Sequence, residues 1–323
     1  MRPLHQLITI VGSANGVGGR IPGCSQAALV MRNSDFLKRS GNSNLNGGIS
    51  GFHFNGRTLS ASLTPTNVDW MRCLVNSLRS QSQFAFSEVI SFSRTLASAT
   101  KQVVEQKKKE LVVIGGDHSC AMGTWSGVAA GVRKLGRLGL VWVDAHMDSH
   151  TPASSHSGNI HGMPVAHLLG HGDSALSGIF DFLPKIYPQN VVVIGARSFE
   201  PEEQEFLESL KVRVFYMDEV RDRGCYSVLK EAIKLSTNGT CGFGLSIDLD
   251  AFEPREVPAI GCPEKDGMST DEFLRAVNRV DLRKLVASEI VEFLPDRDSA
   301  DKRTEKLIVQ ILRQIYTNKW GLR

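Results

Sequence analysis

Histidines and aspartates gather at three places in the 323-residue sequence, and each place directly follows a short apolar run. Alternate residues of an extended segment share one face, so the members of each cluster project together. Burying a carboxylate unpaired is costly, and a bound cation removes that cost. The three clusters therefore predict a metal centre. Its side chains are His118 after residues 111–114, Asp144, His146 and Asp148 after residues 138–143, and Asp248 and Asp250 after residues 241–247.

Each cluster by itself has a plainer interpretation. The Gly-Gly-Asp-His run at residues 115–118, whose two glycines permit a tight turn, is also typical of a phosphate-binding turn or a capped helix start. The clusters at 144–148 and 248–250 are each compatible with solvated loop residues. Taken together, however, four aspartates and two histidines make a ligand set for two divalent ions, with carboxylates available to bridge them.

The types of donor atom indicate which metal and which chemistry to expect. An oxygen-rich set with two imidazoles and no thiolate favours Mn²⁺ over a zinc or iron–sulfur site. Two such ions about 3.5–4 Å apart share a water, lower its pKa and hold it as hydroxide. The predicted chemistry is therefore hydrolysis by activated water.

The elements that must position these clusters alternate along the chain. Continuous apolar runs alternating with helical stretches are typical of parallel strands covered on both faces, and ligands bind beyond the carboxyl ends of such strands. We expect an α/β fold with three layers, α/β/α, around a mostly parallel central sheet, in one domain over residues 1–323. The Ser-, Gly- and Asn-rich segment 33–67 is expected to be a surface excursion or flap. Strands are predicted at 7–11, 111–114, 138–143, 191–194, 212–216, 241–247 and 285–291, and helices at 84–105, 201–210, 227–235, 270–280 and 302–316.

The overall composition argues against several classes of partner. With 41% hydrophobic residues, 22% charged residues and a net charge of +3, the chain is typical of soluble globular proteins. The lysine run 107–109 is typical of the solvated end of a helix, with a phosphate or partner contact as the alternative, and it lacks the interleaved aromatics of a nucleic-acid surface. No apolar run approaches the roughly 20 residues of a membrane span. Six cysteines without C-x-x-C spacing favour free thiols, so we expect a cytoplasmic protein without nucleic-acid or membrane partners.

At these motifs the chain resembles the arginase (ureohydrolase) family over most of its length. Gly-Gly-Asp-His-Ser, Asp-Ala-His-x-Asp and Ser-x-Asp-x-Asp occur in the family's order, with every metal position filled. The resemblance implies two Mn²⁺ per subunit, with Co²⁺ as the alternative, and a homo-oligomer, either a trimer or a hexamer. It assigns one ion to His118, Asp144, Asp148 and Asp248 and the other to Asp144, His146, Asp248 and Asp250, so that Asp144 and Asp248 bridge.

Two further motifs resemble the arginase branch in particular. Ser-Gly-Asn-x-His-Gly at 157–162 implies that Ser157 and Asn159 bind the amino-acid end of a substrate and that His161 transfers a proton, as an imidazole that titrates near neutral pH can. Glu-x-x-Glu-x-x-Pro at 289–295 is similar to the family's Asp-x-x-Glu-x-x-Pro and implies that Glu292 pairs with a guanidinium group. Without the resemblance, His161 is a loop histidine with a backbone partner and Glu292 an ordinary strand-end residue.

The family pattern changes at the positions that resemble its contacts to the substrate tail. The resemblance still implies that His150 and Glu200 contact the substrate's α-carboxylate and α-amino groups, but the longer Glu200 side chain implies a shifted or different substrate. The hydrolytic residues are unaffected. The departures are His150 for the usual Asn, Ser198 and Glu200 for Asp-x-Asp, Glu253 for the Asp before Pro254, and Cys262 for a Thr near the guanidinium site.

The function that the resemblance implies is hydrolysis of a small guanidino compound to urea and an amine, with L-arginine to L-ornithine as the first choice. Asp148 would steer the proton of the attacking water, and His161 would relay a proton to the leaving amine. Agmatinase, guanidinobutyrase and formimidoylglutamase activities are alternatives at the same centre. A non-catalytic, metal-binding regulatory homologue is an alternative of another class, and a one-zinc deacetylase of related architecture is disfavoured by the doubled aspartates and by His118.

Overall fold

The fold is given by a computed structural model that describes residues 7–19, 21–39, 53–54, 57–58, 68–73, 82–106 and 109–321. Its strands, in chain order, are β1 (Leu7–Ser13), β2 (His53–Phe54), β3 (Arg57–Thr58), β4 (Val68–Cys73), β5 (Lys109–Ile114), β6 (Leu138–Val143), β7 (Val191–Ala196), β8 (Arg213–Tyr216), β9 (Gly242–Asp248) and β10 (Leu285–Val291). Its α-helices are α1 (Ala27–Asn33), α2 (Asp35–Arg39), α3 (Ser82–Glu105), α4 (Ala121–Val132), α5 (Pro164–Leu168), α6 (Ser174–Ser177), α7 (Pro201–Ser209), α8 (Met217–Arg223), α9 (Cys225–Ser236), α10 (Thr270–Arg279) and α11 (Arg303–Lys319).

A single parallel sheet organises the described residues. Its eight strands run in the order β4-β1-β5-β10-β9-β6-β7-β8, and each neighbouring pair is parallel. The strands β5, β10, β9 and β6 are therefore adjacent at the centre, although β7 and β8 lie between β6 and β9 along the chain. Every predicted strand is present within two residues at either end.

Side chains of the central strands alternate between two hydrophobic cores, one on each face of the sheet. In β5, Val112 and Ile114 join the core formed with α9, α10 and α11, whereas Leu111 and Val113 join the core formed with α3 and α4. A strand buried on both faces has a continuous apolar sequence, which is the pattern of β6, β7 and residues 111–114 of β5. The expected α/β/α layers and mostly parallel sheet are confirmed.

Helix α4 was not predicted from the sequence, and its glycines explain why. Gly123 and Gly127 lie one turn apart on the face that packs on α3, and a Cβ built on either would meet a backbone oxygen of α3, at 2.7 Å from Ser93 and 2.2 Å from Ala97. Glycine disfavours an isolated helix by about 1 kcal/mol per residue relative to alanine. Here that cost is offset by the close approach of two helices, which local sequence patterns do not reveal.

The segment 33–67 contains more regular structure than the expected surface flap. Within it the structure describes α2 and the short antiparallel pair of β2 and β3, and β4 begins directly afterwards. The remainder of that segment lies outside the described residues, as do two lysines of the 107–109 run, whose third member begins β5 rather than ending a helix. Among the described helices, none combines the length and apolar character needed to cross a membrane.

Candidate metal centre and active site

The three predicted ligand clusters meet at the carboxyl edge of the sheet. Parallel strands place their carboxyl ends on the same side, and the strands that carry the clusters, β5, β9 and β6, lie within four adjacent positions of the sheet. The fourth, β10, lies between β5 and β9 and ends directly before Glu292. Parallel pairing therefore gathers all of these side chains at one place, as expected for a ligand site in an open α/β sheet.

The first group of ligand atoms surrounds the Nδ1 atom of His118. This nitrogen is buried, has no hydrogen-bond partner among the described residues, and faces only carboxylate oxygens. One imidazole nitrogen among several carboxylate oxygens is a donor set that fits a divalent cation, which would satisfy the orphaned nitrogen. The Oδ2 atoms of three residues each lie 3.1 Å from it: Asp144, Asp148 and Asp248.

A second group of ligand atoms adjoins the first and shares Asp144. The Nδ1 atom of His146 lies 3.1 Å from Asp250 Oδ2 and 3.5 Å from Asp144 Oδ1, whereas Asp144 Oδ2 faces His118. The two oxygens of Asp144 thus face different groups, as a bridging carboxylate requires. Each group can hold a metal ion, and the second consists of Asp144, His146 and Asp250. Asp248 faces the first group through Oδ2, so its predicted bridging role stays a prediction.

The electrostatics of these carboxylates fit a site made for cations. Burial raises the pKa of Asp148 to about 6, and the neighbouring charge of Asp144 adds to the effect. Burial, followed by the charges of Asp250 and Asp144, holds the pKa of Asp248 well above its usual range. Burial opposes charge on Asp144 as well, yet the adjacent imidazoles of His118 and His146 hold its pKa below its usual range. Divalent cations would neutralise this crowded negative charge at neutral pH.

Two acidic residues of the site adopt backbone angles that favour glycine. Asp148 has φ 49° and Glu292 has φ 62°. A non-glycine residue in this left-handed region costs on the order of 1–3 kcal/mol and is found preferentially at functional sites. In both cases the turn follows a strand of the central sheet and directs the carboxylate into the buried site.

The His161 and Glu292 side chains, predicted to act on the substrate, contact each other beside the first group. His161 Nδ1 lies 3.1 Å from Glu292 Oε1, which also accepts a hydrogen bond of 2.8 Å from the backbone N–H of His118. Burial opposes charge on His161, but its hydrogen bond to Glu292 prevails and raises the pKa of His161 to about 9. The same pair holds the pKa of Glu292 below its usual range. At neutral pH this is an imidazolium–carboxylate pair.

The His161–Glu292 pair makes stability depend on pH in a defined direction. The folded-state pKa of His161, about 9, exceeds the unfolded value of 6.5, so its contribution is fully present below pH 6.5 and is lost as pH rises through 9. We expect the metal-free protein to lose on the order of 2 kcal/mol of unfolding free energy over this window because of His161. Urea unfolding of the parent and of His161→Asn at pH 6 and pH 9.5 isolates the effect as the difference between two pH slopes. His156→Asn, at an exposed histidine, is the control; equal slopes in the parent and His161→Asn would contradict the expectation.

Two of the residues predicted to contact a substrate tail, His150 and Glu200, come together from two loops. His150 Nε2 lies 3.0 Å from Glu200 Oε2, and Glu203, which the sequence analysis did not single out, accepts the backbone N–H of Ser149 at 3.0 Å. Burial raises the pKa of Glu203 to about 8. Ser157 is exposed and accepts the backbone N–H of its neighbour Asn159. Glu200 and Glu203 form a capping box at the start of α7, a pattern visible in the sequence.

Three of the residues that depart from the family pattern, Ser198, Glu253 and Cys262, lie near the site or support its loops. Cys262 is exposed and follows Gly261, where an added Cβ would lie 3.6 Å from Glu292 Oε2. The backbone N–H of Ser198 donates to the carbonyl oxygen of Ala145 between two metal-site residues. Glu253 accepts the backbone N–H of Gly267 at 3.2 Å.

A loop after β1 supports the site and was missed by the sequence analysis. The Asp117 carboxylate accepts the backbone N–H of Gly18 at 2.8 Å, and the carbonyl oxygen of Gly18 accepts the backbone N–H of His161 at 3.1 Å. The predicted tight turn at Gly115 and Gly116 does not require positive φ; at Gly116 an added Cβ would lie 1.6 Å from the carbonyl oxygen of Asn15. Glycine is required there for close packing of this loop.

Comparisons with known proteins agree with this geometry. The family described as arginase matches residues 59–317. The arginase of Bacillus caldovelox is 38% identical over 232 residues, which are 72% of this chain and 76% of that protein. A solved structure of the Bacillus caldovelox arginase superposes with a TM-score of 0.81 at 30% identity, covering 96% of this chain and 98% of that one. The formimidoylglutamase of Bacillus subtilis, at 18% identity and a TM-score of 0.75, shares the fold, covering 98% of this chain and 88% of that one.

Fold and site together define an α/β/α hydrolase with side chains for two metal ions at the carboxyl edge of a parallel sheet. Within that class, the chain belongs to the arginase family.

Proposed function

We propose that this protein is a manganese-dependent amidinohydrolase that cleaves L-arginine to L-ornithine and urea. The observation that carries the proposal is the shared carboxylate of Asp144, whose two oxygens face the histidine of one ligand group and the histidine of the other. Family membership and the 38% identity to a bacterial arginase support the reaction class.

Different residues of this protein would have different roles in such a reaction. When bound, a pair of divalent cations lowers the pKa of a water and supplies a nucleophile at neutral pH. Glu292 offers a carboxylate to a planar guanidinium group and orients its central carbon. His161 carries a proton at neutral pH because of its contact with Glu292, so it can protonate the leaving amine. Asp148, whose Oδ2 atom lies 3.1 Å from His118 Nδ1 in the first group, would steer the proton of the attacking water.

The choice of arginine as the substrate rests on two loops whose residues are predicted to contact the amino-acid end of the substrate. His150, Ser157 and Asn159 offer hydrogen bonds to an α-carboxylate, and Glu200, whose pKa is held below its usual range by its hydrogen bond to His150, offers negative charge to an α-amino group. Agmatine lacks the α-carboxylate and guanidinobutyrate lacks the α-amino group, so each would leave part of this set of residues unused. We further propose that the protein is cytoplasmic and forms a homo-oligomer; the free state of the five described cysteines supports the first point.

The experiment that tests the function compares substrates side by side. The protein is loaded with Mn²⁺, and urea release is measured from L-arginine, agmatine and 4-guanidinobutyrate, with formiminoglutamate followed through formamide. We expect kcat/KM to be about 10- to 150-fold higher for arginine, because each of the other two guanidino compounds lacks one of the two charged tail groups, and losing the charge-assisted hydrogen bonds to one such group costs about 1.5–3 kcal/mol. Equal or faster turnover of agmatine would overturn the choice of arginine. Tight Mn²⁺ uptake without urea or formamide from any compound would instead favour a non-catalytic homologue.

A further inference from the structure

We propose that Glu289, a buried carboxylate of β10, acts through Ser246 to position His118 for its metal ion. This inference rests on the proposed function only in that a metal ion binds at the first ligand group. Glu289 touches no substrate atom and is a positioning residue.

A hydrogen-bonded chain leads from His118 into the core. His118 Nε2 lies 3.0 Å from Ser246 Oγ, and the Ser246 hydroxyl donates to Glu289 Oε2 at 2.9 Å. All three residues are buried, at 1% exposure or less. These hydrogen bonds begin at His118 Nε2, whereas Nδ1 faces the carboxylates, so they can orient the ring without occupying its ligand atom.

Trp125 determines the direction of this chain. Its indole Nε1–H donates to the same Glu289 oxygen, Oε2, at 2.9 Å. An indole N–H can only donate, so Oε2 is held as an acceptor and the Ser246 proton points towards it. The oxygen of Ser246 is then left to accept, which places the proton of His118 on Nε2. Nδ1 is thereby left with its lone pair, which is the form of imidazole that binds a metal.

The orientation of the His118 ring is constrained in two independent ways. Trp142 stacks on it with centroids 4.0 Å apart and planes 8° from parallel, which sets the plane of the ring. The Ser246–Glu289 pair sets the rotation within that plane. Trp142 Nε1 also donates to Asp144 Oδ2 at 2.9 Å, so one aromatic side chain aligns both the histidine and a carboxylate of the first group.

A structural role alone does not account for a carboxylate at position 289. The side chain lies in β10, all of whose residues except Val286 are buried, and Ala287 and Val291 on either side of it pack in the apolar core. Burial raises the pKa of Glu289, and an uncharged apolar residue there would avoid that cost. A carboxylate behind a histidine ligand, by contrast, increases the ligand's basicity and fixes its tautomer, and removing such a partner typically lowers metal affinity 10- to 100-fold.

The test measures metal affinity at each ligand group separately, with Mn²⁺ as the probe. His146→Asn leaves the first group intact, and His118→Asn leaves the second. Glu289→Gln and Ser246→Ala are introduced into each background, and free Mn²⁺ is followed by its EPR signal during titration. Cys120→Ala is the control, because it removes a donor to the other oxygen of Glu289, Oε1, and leaves the path to His118 in place.

We expect Glu289→Gln and Ser246→Ala to weaken Mn²⁺ binding about 10- to 100-fold in the His146→Asn background and less than about 3-fold in the His118→Asn background. Cys120→Ala should lower the melting temperature without this site-selective loss. Unchanged affinity, or an equal loss in both backgrounds, would overturn the role of Glu289. If Glu289→Gln does not fold, Ser246→Ala decides alone, since it removes one hydroxyl and adds no bulk. If Mn²⁺ affinity falls only at the first ligand group but the parent protein releases no urea, this inference stands and the proposed function is rejected. If the parent protein takes up no Mn²⁺, both are rejected.

Discussion

Asp248→Asn should lower kcat for urea release about 1000-fold or more, the largest effect we expect from a single substitution. Asp248 Oδ2 faces His118 Nδ1 at 3.1 Å, while Oδ1 accepts the backbone N–H of Asp250 at 2.9 Å. An asparagine retains one oxygen, which can keep the backbone hydrogen bond, but it turns an NH₂ group towards the cation. The variant therefore preserves the local fold and removes a charged ligand from the centre that acidifies the water.

Two further measurements on this variant separate loss of metal from loss of fold. Bound Mn²⁺ should fall below two ions per subunit. The metal-free variant should be at least as stable to heat as the metal-free parent, because the pKa of Asp248 is held high by burial and by neighbouring carboxylates, and asparagine relieves that repulsion. Asp281→Asn, at an exposed aspartate that pairs with Arg283, is the matched control and should retain activity. Retention of more than a tenth of the activity with two bound ions would contradict a ligand role for Asp248.

Glu292→Gln should lower kcat/KM about 100- to 1000-fold while leaving two metal ions bound. Its carboxylate touches His161 and the backbone of His118 and is absent from both ligand groups. Glutamine can still accept the backbone N–H of His118, so the turn is preserved. What is lost is the negative charge that pairs with a guanidinium, and hydrogen bonds to charged groups contribute about 1.5–3 kcal/mol each.

The pH profile of Glu292→Gln provides a second readout. Without its carboxylate partner, His161 should titrate closer to 6.5 than to 9, so the alkaline limb of activity should move to lower pH. Glu231→Gln, which breaks a surface pair with Arg223, should change neither rate nor profile. A variant that loses a metal ion, or one whose pH profile stays where it was, would show that Glu292 has a different role from the one assigned to it.

Sequence patterns were sufficient to predict the strands at the centre of the sheet. The apolar runs at β6 and β10 match the observed strands at both ends. Apart from the buried Ser288 and Glu289 of β10, these strands are apolar, as expected for parallel strands covered on both faces. The motifs at 144–148 and 248–250 likewise place their carboxylates at strand ends by spacing alone. Local patterns failed where packing outweighs propensity: β4 is a strand through its pairing with β1, and α4 is a helix whose glycines allow it to lie against α3.

The sequence by itself determined which side chains are available to bind metal and that each ends a buried strand. Only the tertiary structure decided that β5, β9 and β6 lie close enough for those ends to meet. It also decided that the two oxygens of Asp144 face different histidines, and that Ser246 links Glu289 to His118 by hydrogen bonds. The physical reason is the difference in sequence separation over which the two kinds of information act. Alternation and helical periodicity act over a few residues, whereas strand order, and the contacts that it creates between residues more than a hundred positions apart, depends on how the whole hydrophobic core packs.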